Sequence, residues 1–104
     1  MIGGGPYIID FKQSAKSDLA ELERFIVEDC YAPLTTKRRF EDLDKRLDWL
    51  EKYAELPAID FNLSYRYGIL IRTIPFGKKM TIVYTVEGEK VYVLRVMPQS
   101  MIVF

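Results

Sequence analysis

The chain contains 104 residues, with 15 basic and 15 acidic side chains, no histidine and a formal net charge of zero. This length predicts one domain that spans residues 1–104 around one core, and a hydrophobic content of 49% is typical of a globular protein rather than a disordered one. The absence of histidine excludes His-based triads, the usual zinc sites and an imidazole acid/base pair, and we expect neither a metal nor a cofactor.

Neither a membrane span nor a secretory signal is expected. No apolar run approaches the roughly 18 residues that a spanning helix needs, and the start of the chain lacks the basic and long apolar regions of a signal peptide. The lone Cys30 cannot form an internal disulfide and is interpreted as a small apolar side chain. These features predict a cytoplasmic protein without membrane contacts.

The charges are unevenly divided along the chain. Residues 1–60 carry 13 acidic and 9 basic side chains, whereas residues 61–104 carry 2 acidic and 6 basic ones. This asymmetry favours an anion or an acidic partner bound near the C-terminal part. Charges that flank strands and keep sheet edges soluble explain it equally well.

The N-terminal part is predicted to form a strand and a helix. Residues 1–6 are a flexible lead-in, and residues 7–11 have the composition of a short strand. Apolar residues then recur at helical spacing over residues 14–29, with Ser14 as the predicted N-cap and Pro33 beyond the end of the helix.

A second helix is predicted over residues 35–55. Its apolar side chains follow a 3-4-3-4 spacing, with Thr35 or Thr36 as the cap and Pro57 beyond its end. The two helices form a hairpin whose shared apolar face needs a cover, and the sheet is the available cover. The residues expected to pack the hairpin on the sheet are Leu19, Leu22, Ile26, Phe40, Leu43, Leu47 and Leu50.

The last third of the chain predicts an antiparallel meander. Three runs rich in β-branched residues lie at 69–74, 80–86 and 91–97. Residues 75–77 separate the first two runs, residues 87–89 separate the last two, and residues 98–104 form a tail. The predicted fold class is therefore α+β: an N-terminal strand and a two-helix hairpin packed on an antiparallel sheet, which the strand forms with the C-terminal three-stranded meander.

Alternation along these strands predicts which side chains face away from the helices. The more apolar set is assigned to the helices, and the remaining open face still carries several aliphatic side chains beside two arginines. An apolar face of this kind is seldom left bare, so we expect either a partner or the tail at 101–104 to cover it. The residues of this open face are Leu70, Arg72, Ile74, Thr81, Val83, Thr85, Val93, Arg95 and Met97.

The chemistry that the residues allow is the handling of anions by arginine and lysine, with tyrosine as a proton donor or acceptor. Cleavage of RNA by its own 2′-hydroxyl needs cations for the phosphorane charge, a base and an acid. Arg72, Lys79 and Arg95 are the candidate cations, but no base of suitable pKa accompanies them. The set of catalytic groups is therefore incomplete.

Two segments resemble the RelE/ParE superfamily, the toxins of type II toxin–antitoxin modules, which include plasmid stabilisation proteins. YIIDFKQSAKSDLAELERFI at 7–26 is similar to the opening strand and first helix of that family, and IVYTVEGEKVYVLRV at 82–96 is similar to its later strands, including Tyr84. Leu56 and Pro57 stand where many members end the second helix. The resemblance implies a RelE/ParE-like fold and a cognate antitoxin protein as partner.

Departures from the family pattern bear on activity. Thr81 stands where the mRNA-cleaving members usually have an arginine, and Pro98 with the residues that follow it replaces their basic run. The neutral charge also differs from the basic charge that binding to ribosomal RNA requires. The resemblance thus implies the ParE-like branch, which is associated with inhibition of DNA gyrase and acts by binding.

Two alternatives stay open at this point. One is a ribosome-dependent mRNA endoribonuclease of RelE type that uses Arg72, Lys79 and Arg95. The other is a non-toxic interaction module whose open sheet face binds another protein, and that face also allows a homodimer. The predicted residues for binding a target or partner are Leu70, Arg72, Thr81, Val83, Thr85, Val93, Arg95 and Met97.

Overall fold

The computed structural model of the chain describes residues 6–24, 33–77 and 79–98, and for residues 33–37 it describes the backbone alone. The predictions for Ile26, Cys30 and the tail at 101–104 lie outside the described residues. The prediction of Thr35 or Thr36 as the cap of the second helix was wrong, because that helix begins at Pro33 and both threonines lie inside it. Three helices and four strands are present: β1 (Ile8–Phe11), α1 (Gln13–Arg24), α2 (Pro33–Tyr53), α3 (Phe61–Tyr67), β2 (Arg72–Phe76), β3 (Met80–Glu87) and β4 (Lys90–Pro98). The predicted α+β class is confirmed.

The four strands form one mixed sheet in the order β1-β4-β3-β2. β2, β3 and β4 are antiparallel neighbours, as the meander predicts, whereas β1 pairs in parallel with β4. A parallel pair needs a long crossover connection, and here the helices and the other two strands lie between β1 and β4 in the chain. The expectation of a purely antiparallel sheet was therefore wrong for β1.

The strand β2 begins and ends later than predicted. It spans Arg72–Phe76, so Pro75 and the buried Phe76 lie within the strand instead of in a turn. Proline is tolerated because β2 is an edge strand in the described sheet. The turn to β3 begins at Gly77, whose φ of +53° is a left-handed conformation that glycine adopts without strain.

The helices differ from the prediction mainly at their ends. α1 already begins at Gln13, so Ser14 lies inside the helix and is not its N-cap. α2 begins at Pro33, a residue that suits the first helical position because its φ is preset and it needs no N–H partner there. The predicted packing against the sheet is confirmed for the described members of the hairpin set: Leu19, Leu22, Phe40, Leu43, Leu47 and Leu50 all belong to or contact the main core.

A β-bulge in β4 changes which side chains face the helices. Val83 pairs with Arg95, but its neighbour Tyr84 pairs with Val93, so Leu94 is an extra residue in β4. The inserted residue shifts the alternation by one position. As a result, Val93 before the bulge and Val96 after it both lie in the core beneath the helices.

Three residues that alternation placed on the open face lie on the helix side instead. Ile74 and Val93 are buried in the main core, and Arg72 pairs directly with the core residue Tyr84. Directly paired residues share a face of the sheet. The open-face assignment was thus wrong for Arg72, Ile74 and Val93.

The opposite face of the sheet carries a second, smaller core. Leu63 of α3 and Ile71 bury Val83, and Leu94 and Met97 pack against them. A third helix, which periodicity did not predict, therefore covers part of the face that we expected a partner or the tail to cover.

Candidate functional site

The helix α3 is defined by polar caps at both ends. The Asp60 carboxylate accepts a hydrogen bond from the Leu63 N–H at 3.0 Å, and Gly68, at φ +74°, donates its N–H to the Ser64 carbonyl oxygen at 2.9 Å. Aspartate before a short helix and glycine after it are standard start and stop signals. These two residues are the signal by which the sequence could have predicted α3.

The inner side of α3 is fixed to the sheet. Leu63 is only 4% exposed and contacts the second core. The Ser64 hydroxyl accepts a hydrogen bond from the Ile71 N–H at 2.7 Å, and the Asp60 N–H donates to the Ile71 carbonyl at 2.8 Å. α3 and the segment that leads into β2 therefore form one hydrogen-bonded unit.

The outer side of α3 is apolar and exposed. Phe61 and Tyr65 lie one helical turn apart, on the side away from Leu63, and are 76% and 90% exposed. Six of the eight exposed large hydrophobic side chains in the described residues come from the short stretch 56–70. We call this set the α3 surface: Leu56, Phe61, Tyr65, Tyr67, Ile69 and Leu70.

Arg95, a predicted binding and catalytic candidate, forms an ion pair with Asp18 of α1. Its Nε lies 2.7 Å from Asp18 Oδ2 and its Nη2 lies 3.0 Å from Oδ1. This hydrogen-bonded carboxylate raises the pKa of Arg95, and Tyr67 contributes in the same direction. The guanidinium is thus already paired within the fold.

Arg72, another candidate, is bound to the segment that directly follows α2. Its Nη1 donates to the carbonyl oxygens of Glu55, at 3.0 Å, and Pro57. Two tyrosines complete this polar network: Tyr7 donates its hydroxyl to the Glu55 carboxylate at 2.8 Å, and Tyr84 donates its hydroxyl to the Ala54 carbonyl oxygen at 2.7 Å. Burial raises the pKa of both tyrosines, so both stay protonated hydrogen-bond donors at neutral pH.

The structure does not bring the three candidate cations together. Lys79 is exposed in the β2–β3 turn, beyond the last residue of β2, whereas Arg72 is the first residue of that strand. Four strand residues span about 13 Å. Arg95 pairs with Val83, on the opposite face of the sheet from Arg72.

The predicted partner-binding residues differ widely in accessibility. Leu70 is exposed and belongs to the α3 surface, and Arg72, Arg95 and Met97 are half-buried. Four of the predicted residues are buried within the fold: Thr81, Val83, Thr85 and Val93. The hydroxyl of Thr85 is also engaged, because it donates a hydrogen bond of 2.7 Å to the carbonyl of Leu70. Sequence reasoning missed the aromatic members of the α3 surface, because it did not predict the helix that presents them.

A cleft of about 360 Å³ lies between α2 and the β2–β3 turn. The guanidinium of Arg46 lies 5.6 Å from the ring centre of Trp49 at this cleft. The other lining residues are Asp42, Lys45, Phe76 and Gly77.

Among the described residues, no three potential metal-ligating side chains lie close enough to hold an ion. None of the helices in the described parts of the chain combines the length and the apolar character that a membrane crossing requires.

Comparison with known proteins agrees with this architecture. The family model described as the ParE toxin of the type II toxin–antitoxin system, parDE, matches residues 9–103. The fold is similar to a solved structure of the chromosomal ParDE TA system from P. aeruginosa, with a TM-score of 0.61 and 16% identity, covering 89% of this chain and 96% of that chain. The search among curated proteins gives no match. Because the family model spans nearly the whole sequence, the predicted resemblance is confirmed, and the chain belongs to the ParE toxin family of type II toxin–antitoxin systems.

Proposed function

We propose that the chain is a toxin that inhibits DNA gyrase by binding it and that a cognate antitoxin neutralises it. Membership of the ParE toxin family supports the toxin role. The observation that carries the mode of action is the contrast between its cations and its accessible surface. Arg72 and Arg95 are engaged inside the fold, whereas the α3 surface presents apolar and aromatic side chains.

This contrast favours binding over RNA cleavage. A cation that stabilises a phosphorane must reach the reacting phosphate. Arg72 is bound to carbonyl oxygens of the segment that follows α2, and Arg95 is bound to the carboxylate of Asp18. Aromatic side chains that stand in solvent are instead typical anchors of protein–protein interfaces. The neutral net charge points the same way, since ribosomal RNA favours basic partners.

Two assays with purified protein distinguish the targets. We expect the chain to inhibit gyrase-catalysed supercoiling in proportion to its concentration, and to leave mRNA intact in the presence of ribosomes. The matched control is Lys79→Ala, which removes the exposed candidate cation without touching the core. Ribosome-dependent cleavage by the wild type that disappears in Lys79→Ala would establish the endoribonuclease instead.

Growth assays test the neutralisation. We expect induction of the chain alone to stop growth, and co-expression of the protein encoded by the adjacent gene to restore it. Normal growth on induction, together with active gyrase in the supercoiling assay, would contradict the toxin role and leave the interaction module as the better description.

A further inference from the structure

We infer that the α3 surface is the docking site for one segment of the antitoxin, an apolar segment that also carries a carboxylate facing Arg66. This inference rests on the proposed function, because it locates the neutralising partner on this chain. It is carried by the exposed area of the surface, by the rigidity of its support and by the charge beside it.

The exposed area is large for so short a segment. With about 200 Å² for a whole aromatic side chain, the exposures of Phe61 and Tyr65 on the outer side of α3 correspond to roughly 330 Å². The largest apolar patch on a typical monomer is about 300–600 Å² and is often functional. Leu56, Ile69 and Leu70, in the segments that flank α3, are exposed as well.

The support of these side chains is already ordered. α3 has both caps, and Leu63 and Ser64 hold it to the sheet. Binding at a preformed surface avoids the entropy cost of ordering backbone. Phe61 and Tyr65 have two side-chain torsions each, so little further freedom is lost when a partner covers them.

The charge beside the aromatic pair selects the partner. Arg66 is exposed, directly follows Tyr65, and forms no ion pair with any residue in the part of the chain that the structure describes. A carboxylate on the partner would pair with it at the rim of the interface. A second copy of the chain, docked through the same helix about a two-fold axis, would bring two Arg66 side chains together. The surface thus fits an acidic, apolar segment better than it fits itself.

Substitutions on the outer side of α3 test the inference. Phe61→Ala, Tyr65→Ala and Arg66→Ala are titrated with purified full-length cognate antitoxin, and the thermal unfolding of each variant is compared with that of the wild type. Ile8→Ala is the matched control, because Ile8 is another exposed large hydrophobic residue but lies on β1. We expect Kd to rise on the order of tenfold for each aromatic variant and to stay unchanged for Ile8→Ala.

The charge is tested separately. We expect Arg66→Ala to weaken binding at low salt and to lose this effect at high salt, because exposed ion pairs are screened, while Arg66→Lys retains most of the affinity. Tyr65→Phe should bind like the wild type if the aromatic ring is the anchor.

The outcomes separate this inference from the function. Folded Phe61→Ala and Tyr65→Ala variants with wild-type affinity for the antitoxin would overturn the docking site and leave the toxin role intact. A wild-type chain that fails to bind the antitoxin would overturn both. A wild-type chain that binds the antitoxin through α3 but leaves gyrase active would overturn the proposed target alone.

Discussion

Replacing Asp18 with alanine tests how α1 satisfies the backbone hydrogen-bonding groups of β4 beyond Val93, where β1 no longer pairs with that strand. β1 pairs with β4 only as far as Val93, and beyond it the edge of β4 lies beside α1. There the Asp18 carboxylate accepts a hydrogen bond from the Val96 N–H at 2.9 Å and binds the guanidinium of Arg95. The Ser14 hydroxyl donates to the Leu94 carbonyl at 2.6 Å. Side chains of a helix thus occupy backbone groups that a neighbouring strand would otherwise pair.

The exposure of the Asp18–Arg95 ion pair sets limits on how far Asp18→Ala lowers the free energy of unfolding. Exposed ion pairs contribute about 0–1 kcal/mol, and removal of one partner from a buried pair costs about 3–5 kcal/mol. Asp18 is 15% exposed and Arg95 is 36% exposed, which places the pair between these limits. Hydrogen bonds to charged groups contribute about 1.5–3 kcal/mol each, but the arginine can turn partly into water. We therefore expect Asp18→Ala to lower the free energy of unfolding by about 2–3 kcal/mol.

Urea titration of the folded chain measures this loss. Asp18→Asn should cost less, about 1–2 kcal/mol, because the amide oxygen can still accept from the Val96 N–H but has no charge for Arg95. Glu21→Ala is the matched control: Glu21 lies on the same helix and binds Arg24, but both side chains are well exposed. We expect that change to stay below about 1 kcal/mol.

A loss below about 0.5 kcal/mol for Asp18→Ala, or a loss equal to that of Glu21→Ala, would contradict this role of Asp18. Either result would mean that the part of β4 beyond Val93 needs no partner and that α1 is held by apolar contacts alone. A double-mutant cycle with Arg95→Ala separates the ion pair from the backbone hydrogen bond.

Three further predictions concern the core, the tyrosines and the turns. Leu50→Ala should lower the free energy of unfolding by about 2–5 kcal/mol in a denaturant titration, because Leu50 is fully buried in the main core. A loss of under 1 kcal/mol would mean that the buried face of α2 is assigned wrongly. Burial raises the pKa of Tyr84 above its ordinary value of 10.0, so the folded chain favours the protonated phenol. The resulting contribution to the free energy of unfolding is fully present below pH 10 and is lost as the pH rises towards the folded-state pKa. Tyr84→Phe should flatten this alkaline loss in pH-dependent unfolding, and an unchanged pH profile would contradict the assignment. Gly77→Ala should cost more than Gly68→Ala by thermal unfolding: both have positive φ, but only at Gly77 would the new Cβ lie 3.2 Å from the Asp42 carboxylate. Equal losses would mean that Asp42 moves aside freely.

Local patterns in the sequence determined the main elements of the fold. The 3-4 spacing predicted the apolar stripe of α2 that packs on the sheet, and period-two runs predicted β3 and β4 nearly to the residue. These patterns are visible because each repeats over several residues of one element. The family resemblance depended on the same patterns at 7–26 and 82–96, and it predicted the ParE-like class that the family model confirms.

The caps of α3 were also present in the sequence. Asp60 and Gly68 stand at its two ends, but seven residues are too few for a clear apolar period. The helix was missed for that reason, and with it the surface of Phe61 and Tyr65. Capping residues are therefore a better guide than periodicity for helices of this length.

The faces of the sheet and the partners of its two arginines depend on tertiary contacts. The inserted residue Leu94 places both Val93 before it and Val96 after it on the helix side. Such a shift reverses the alternation on one side of the bulge without a clear mark in the composition. Arg72 and Arg95 looked equally available in the sequence. The partners of Arg72, Glu55 and Pro57, lie 17 and 15 residues away in the chain, and Asp18, the partner of Arg95, lies 77 residues away. Such contacts form only when the helices and strands are packed, because they depend on relative positions in space that no local pattern contains.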